Sequence, residues 1–443
     1  MSGQKSTTDT FAGTIKSLAI SSNDGGKQAE LAGKNIIQFT YMESLMNDSV
    51  NANIIYSDTG VVKEGTKNVL EELPIVGTEK VKCSFSDVQG ESINIELYVN
   101  NVTPMLNDAR KEVVSLELKS KEYILNEKVR LRKRYDGKIS DHIDMIMTDT
   151  IGEGLGTEKN IEIEETSNNY NFIGNSKKSF YTINWLSKKA ISSENQDKGK
   201  SAGFFFYETS EGFFFKSIDG LLKQEPKRSI IYNETTNGGN HIPPRYDYQA
   251  IEYSKNNLVD AQNKLRMGTY SNKCVLFDPF NCFYEVVVNE PSEDLELAGK
   301  NLPKLNPDFN IPGKDKEFSR TTFYLLDKGT LPTGDTKQQI EKSNEENLEY
   351  KDILNQSFMR YNQFFAFAAT ITIPGDFTLH AGDAIFLDVP MLEKNDNGET
   401  SKMDGGLYII TELTHYMSGS DTLTKLGLVR DSIGRKGTPK GAL

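Results

Sequence analysis

The chain carries four histidines, His142, His241, His380 and His415, and none has a second His or Cys close behind it. A structural zinc site needs its ligands in closely spaced pairs, about two to four residues apart, so that one turn can present both to the ion. No such site is expected, and His415, inside strand-like text, reads as a packed or hydrogen-bonded side chain. Carboxylates come nearer to a chemical pattern. Asp383 and Asp388 flank a short apolar strand, and Glu208 and Glu211 stand at the tip of a hairpin. A glycosidase needs two carboxylates across a sugar cleft, one with a raised pKa, so cleavage of peptidoglycan or another polysaccharide is the alternative function. Asp383, however, follows Gly382 in a turn, where a carboxylate commonly serves local hydrogen bonds. There is no glycine-rich loop ending in GK[ST] and no serine on a nucleophile elbow. Cys274 and Cys282 lie too far apart for a CxxC pair and read as small apolar side chains. The expectation is a chain with no catalytic residues, no cofactor-binding residues and no metal ligands.

Composition narrows what the elements around these residues can be. With 443 residues the chain is too long for one core, which points to about two to four domains. The 23 Phe and 19 Tyr favour strands and large packed interfaces. A net charge of −12 argues against non-specific nucleic-acid binding, which needs a basic surface. It does not exclude a duct through which DNA slides, where a repelling wall would be useful. Three cysteines, Cys83, Cys274 and Cys282, are too few and too odd for a disulfide framework, so folding in a reducing cytoplasm fits. Met1 to Thr10 has no apolar core of a signal peptide, and the longest apolar run, Phe364 to Ile373, is too short to span a bilayer. No stable membrane insertion is expected.

Residues 1–120 read as β. Ile93, Ile95, Leu97 and Val99 alternate with polar neighbours, as do Val114, Leu116 and Leu118; Asn35–Met42 and Asn53–Ser57 are further strands, and Pro104 lies in a loop. Residues 121–222 are mixed α/β. Glu122 to Arg134 favours helix, Ser140 caps a second one, and Ile183, Leu186 and Ala190 sit on a third. Phe204–Tyr207 and Phe213–Phe215 then flank a polar tip and predict a hairpin covered on both faces. Residues 223–290 with 350–434 form a second β-region. It includes a short helix over Asn257–Met267 with Leu258, Ala261 and Leu265 inward, and a helix with Leu354, Phe358, Tyr361 and Phe365 on one face. Closely spaced strands follow over Ala369–Ile373, Phe377–Leu379, Ile385–Val389, Leu407–Leu413 and Thr422–Arg430. Residues 291–349, broken by five prolines, read as a peripheral loop-rich insertion, and 435–443 as a tail. The fold class is a β-rich α+β multidomain protein with two small β-barrels, a mixed insert and peripheral loops.

The text of several segments resembles a known family. Ser120-Lys-Glu-Tyr-Ile-Leu-Asn-Glu-Lys128 with Tyr135–Ser140, Phe180–Ala190, and the paired runs Gly203–Tyr207 and Gly212–Leu221 resemble the baseplate hub subunit of T-even-type contractile-tailed bacteriophages. Leu265–Gly268 and Ser271–Pro279 match it in style. Ile373–Asp376, Ala381–Asp383 and Tyr408–Arg430 look like the second tail-tube-like barrel of hub proteins. The resemblance runs from about Ile36 to Gly434 and is weakest over Met1–Glu30 and Pro291–Asn347. It implies a structural protein of the virion baseplate, assembled in the host cytoplasm, and not an enzyme. It further implies a homotrimer in which each subunit contributes two tube-like barrels. Three subunits then match a six-fold tail tube on one face and a three-fold central spike on the other, leaving a channel for the tape-measure protein and DNA in transit. Wedge proteins of the baseplate would be further partners.

Overall fold

The structure is a computed structural model. It describes residues 13–31, 35–58, 73, 75–87, 89–108, 111–150, 154–195, 202–232, 245–256, 260–269, 271–278, 282–289, 306–309, 320–326, 335–343, 347–348, 350–389, 404–419 and 421–431. His241, Leu258, the side chain of Leu354, the loops at 237–244 and 393–403, the tail 435–443 and most of 291–349 lie outside the described residues. Among the described residues no helix is long and apolar enough to cross a membrane.

The β-rich α+β class follows from alternation. In the N-terminal region Ile54 faces Leu116, and Tyr56 faces Val114, across one antiparallel ladder, and all four are fully buried. Each strand turns every second side chain inward, and Leu18, Ile20, Phe39, Val81, Phe85, Leu97 and Val99 meet there in one core. Phe39 stacks on Phe85 with ring centroids 3.9 Å apart. The C-terminal β-region repeats the pattern with Ile371, Ile373, Ile385, Leu387, Leu413 and Leu426.

The two β-regions are continuous with one another. The strand Gly406–Ser418 joins them. Its first residues pair with Ala384–Asp388, while its later ones, from Glu412 to Met417, pair on that side with Ile36–Ser44. Its other edge carries Asp421–Arg430. A bulge at Thr411, whose carbonyl accepts from Leu45 N at 2.9 Å, marks the change of partner. The result is one 14-stranded sheet whose ladder, among the described residues, runs open from Tyr248–Gln249 to Gln28–Glu30 and closes no barrel.

The insert builds its own core from Leu131, Ile139, Ile143, Ile146, Tyr170, Phe180, Ile183, Phe204, Phe206, Phe213 and Phe215. Helix Ser179–Ser187 lies against the hairpin Phe204–Thr209 and Gly212–Ser217, which gains a parallel third strand, Ile161–Ile163, and helix Ile139–Thr148 packs on that strand and on the first helix. Every residue of Phe204–Thr209 is buried. Phe204 and Phe206 enter the insert core, while Phe205 and Tyr207 enter a second cluster with Ile218, Leu221, Phe364 and Ile409. Both faces of the hairpin are thus covered within one chain. A small sheet, Asn272–Asp278, Phe283–Asn289 and Arg320–Leu325, packs beside the helix Tyr350–Phe364.

Several local expectations change. The helix foreseen over Glu122–Arg134 ends at Asn126. Leu131 is fully buried and bridged to Lys177, so its burial overrides helix propensity. Ser140 is not a cap. The helix starts at Ile139, and Ser140 N is met by Thr166 Oγ1 at 2.9 Å instead. Pro104 lies inside the strand Ser92–Asp108, next to a register shift where a missing N–H is tolerated. Phe377 and Leu379 are buried in a turn, not a strand. The short helix is Ala261–Arg266 and buries none of its residues, Ala261 included, although Gly268 stops it at φ +76°. The loop-rich stretch contains a strand, Arg320–Leu325, and a helix, Thr336–Ser343.

Candidate functional site: a buried ionic junction

The strand Ile36–Ser44 puts Tyr41 and Glu43 on the same inward face, two residues apart. A buried carboxylate is costly unless it is bonded, and Glu43 is surrounded by donors. Tyr41 OH lies at 2.8 Å, Ser210 N at 2.9 Å, Ala381 N at 3.0 Å and His380 Nδ1 at 3.3 Å. These come from its own strand, the hairpin tip and the turn that follows Phe377. The tip's Glu211 approaches the other imidazole nitrogen, Nε2, at 3.5 Å.

The turn is fixed by its own sequence. Asp383 accepts from His380 N at 2.8 Å and pairs with Lys227 Nζ at 2.8 Å. Gly382 N donates to Ile410 O, and Ile410 N donates to Asp383 O, at 2.8 and 2.9 Å. Gly382 sits at φ +93°, and a Cβ there would fall 2.3 Å from Tyr207 Oη, so only glycine fits.

The charges are mutually set. Burial alone would strip the proton from His380, but facing Glu43, Glu211 and Asp383 hold it to about pH 10. Burial likewise opposes ionisation of Glu43, yet His380 and the backbone donors bring its carboxyl below the ordinary value. A second cluster lies alongside. Lys159 Nζ joins Glu122 at 2.8 Å and Glu208 at 2.5 Å, and Glu208 also accepts from Val50 N at 3.1 Å. Burial raises Glu208 despite Lys159. A third pair, Arg228 and Asp376 at 2.8 Å, holds the start of the turn; burial works against Asp376, but Thr378 and Arg228 lower it overall.

This arrangement commits its charged groups to one another. An imidazolium that keeps its proton is neither a general base nor a metal ligand. Glu208 has the raised pKa of a general acid but is only 1% exposed, and Glu208 and Glu211 are committed to different cations, Lys159 and His380. Asp383 and Asp388 also part company, the first with Lys227 and the second accepting from Tyr246 OH. His142 is a core side chain, bonded to Tyr170 O at 2.8 Å and edge-on to Tyr135 and Phe172. His415 is buried, shares a hydrogen bond with Thr424 Oγ1 at 2.9 Å, and is pushed down to about 4 by burial, hence neutral. Cys83 and Cys274 are buried thiols, which burial raises to about 12 and about 11, and Cys282 is exposed. The acidic run Glu158–Glu165 is partly paired: Glu162 with Lys216, Glu165 with Lys138 at 2.5 Å, and Glu164 accepting from Ser217. Sequence reasoning missed Glu43, Lys159 and Lys227. The available signal was Glu43 itself, a carboxylate on the inward side of an alternating strand.

No family model and no curated protein sequence matches the chain. Solved structures do. The tail protein from Neisseria meningitidis MC58 superposes with a TM-score of 0.52 at 9% identity, covering 96% of this chain and 98% of that one. The chain shares this tail protein's fold. The 43 kDa tail protein of prophage MuSo2 from Shewanella oneidensis gives 0.51 at 10% identity, covering 95% and 100%. The tail-protein fold therefore extends over both β-regions and the insert together.

Proposed function

We propose that the chain is a structural protein of a phage tail baseplate, and within it the hub subunit. Three copies form a pseudo-six-fold ring that joins the hexameric tail tube to the trimeric central spike, contacts wedge and tape-measure proteins, and leaves a channel for DNA. The observation that carries this reading is the tail-protein fold, matched over nearly the whole chain and over whole tail proteins. The junction supports it. Its central charges, Glu43 and His380, are compensated and buried, which suits a part that transmits load between the N-terminal β-region, the insert and the C-terminal β-region. The surplus of 63 acidic over 51 basic residues would keep passing phosphates from sticking.

Multi-angle light scattering on the isolated chain and on its mixture with the spike protein tests the ring. A trimer in either sample is the expected result. A strictly monomeric chain in both would sink it.

A further inference from the structure

A cavity of about 860 Å³ opens between the insert, the small sheet and the helix Tyr350–Phe364. Nine of its eighteen lining residues are aromatic and none is acidic, although the chain as a whole is strongly anionic. Most of its polar wall groups are already engaged with the protein. Asn184 donates to Asp48, Ser187 to Asn184 O, Asn362 to Met267 O, and Tyr361 OH to Phe204 O. Lys189 Nζ donates to Tyr170 Oη at 2.9 Å and lies 3.2 Å from the centre of the Trp185 ring. A small polar ligand would therefore find few oriented donors. The mouth offers something else. Met46 and Leu325 stand 63% and 66% exposed on it, and beyond Leu325 the same strand exposes Phe323.

An aromatic socket with exposed apolar side chains at its rim is the form of an anchor site for a protein partner. Two cations stand beside the apolar walls, while the neighbouring carboxylate, Asp48, is taken up by Asn184. Lys188 is exposed and lines the cavity, and the Arg320 guanidinium lies 4.0 Å from the ring centre of Phe358, another lining residue. We propose that this cavity is a docking socket for a partner polypeptide segment that presents large apolar side chains flanked by carboxylates. Charge complementarity selects that chemistry. The apolar walls bind the anchor, and Lys188 and Arg320 face its acidic flanks. The proposal goes beyond the ring reading and does not depend on it.

The probe is a fluorescein-labelled peptide in which Trp and Leu alternate with Asp and Glu, compared with its counterpart bearing Lys at the acidic positions. Anisotropy titrations use the full chain, Met46→Glu and Lys188→Glu; both positions are exposed, and unchanged circular dichroism checks the fold. The expected result is saturable binding of the acidic peptide, at least about tenfold tighter than its lysine counterpart and about tenfold weaker in each variant. Absence of saturable binding, equal binding of both peptides, or wild-type binding in both variants would overturn it. The oligomeric state of the same samples, read by light scattering, reports on the ring separately.

Discussion

His380 Nδ1 stands 3.3 Å from Glu43 Oε1, across 337 residues of chain. Both side chains are nearly inaccessible, at 8% and 0%, so each is the other's principal counter-charge. Breaking such a pair costs more than removing it whole, because the survivor stays buried and uncompensated. His380→Ala should destabilise the protein by about 3–5 kcal/mol, and the double variant Glu43→Gln, His380→Gln by less. Urea unfolding checks the order; a double variant no more stable than the single would refute the pairing.

The same pair predicts a pH dependence. His380 is raised from 6.5 to about 10, so its contribution is complete below 6.5 and is lost as pH rises through about 10. Its facing carboxylates, Glu43, Glu211 and Asp383, drive the shift. Thermal melting should therefore decline between neutral pH and pH 10, with a smaller slope in His380→Gln. At the acid end Glu43 and Asp376, both lowered, contribute above their ordinary values and lose that contribution as pH falls through the lowered ones.

Gly382→Ala combines a left-handed φ with a Cβ 2.3 Å from Tyr207 Oη. A loss of roughly 1–3 kcal/mol follows from the backbone alone, and the collision adds to it. Tyr207→Phe in the same chain should recover only part of the collision, since the ring's Cζ still lies 2.8 Å from that Cβ, and none of the backbone part, as read from the shift in melting temperature.

Phe206 is 3% exposed and stacks on Phe213 with centroids 5.6 Å apart. Phe206→Ala should cost about 3–5 kcal/mol in dilute, monomeric protein. An effect that emerged only on assembly would assign this ring to an interface instead.

Turbidity of purified bacterial cell walls should not fall when the isolated chain is added. Clearing that Glu208→Gln abolishes would establish the hydrolase that the carboxylate pairs left open.

Much of the β-architecture was legible because alternation is local. Val114, Leu116 and Leu118 announce their inward face without knowledge of any partner. What alternation cannot supply is the partner's identity. Nothing near Glu412 says that it pairs with Ser44, and so the strand that serves both regions was not foreseen. The hairpin was readable from its Phe runs and polar tip, but the role of that tip was not. Glu211 and Ser210 acquire meaning only when His380 and Glu43 arrive from opposite ends of the chain. Leu131 shows the converse, since a charged, helix-favouring context hid a residue destined for the core.

The strand Gly406–Ser418 also sets an order of events during synthesis. Ile36–Ser44 can pair with Asn51–Asp58 as soon as both are made. Its other edge waits for Glu412–Met417, far downstream. Until then the nascent chain carries an open edge of backbone donors and acceptors, the kind that recruits neighbouring chains. Ribosomes stalled before residue 412 should thus yield aggregation-prone fragments, because the sheet cannot be completed until Glu412–Met417 and Asp421–Arg430 have been made.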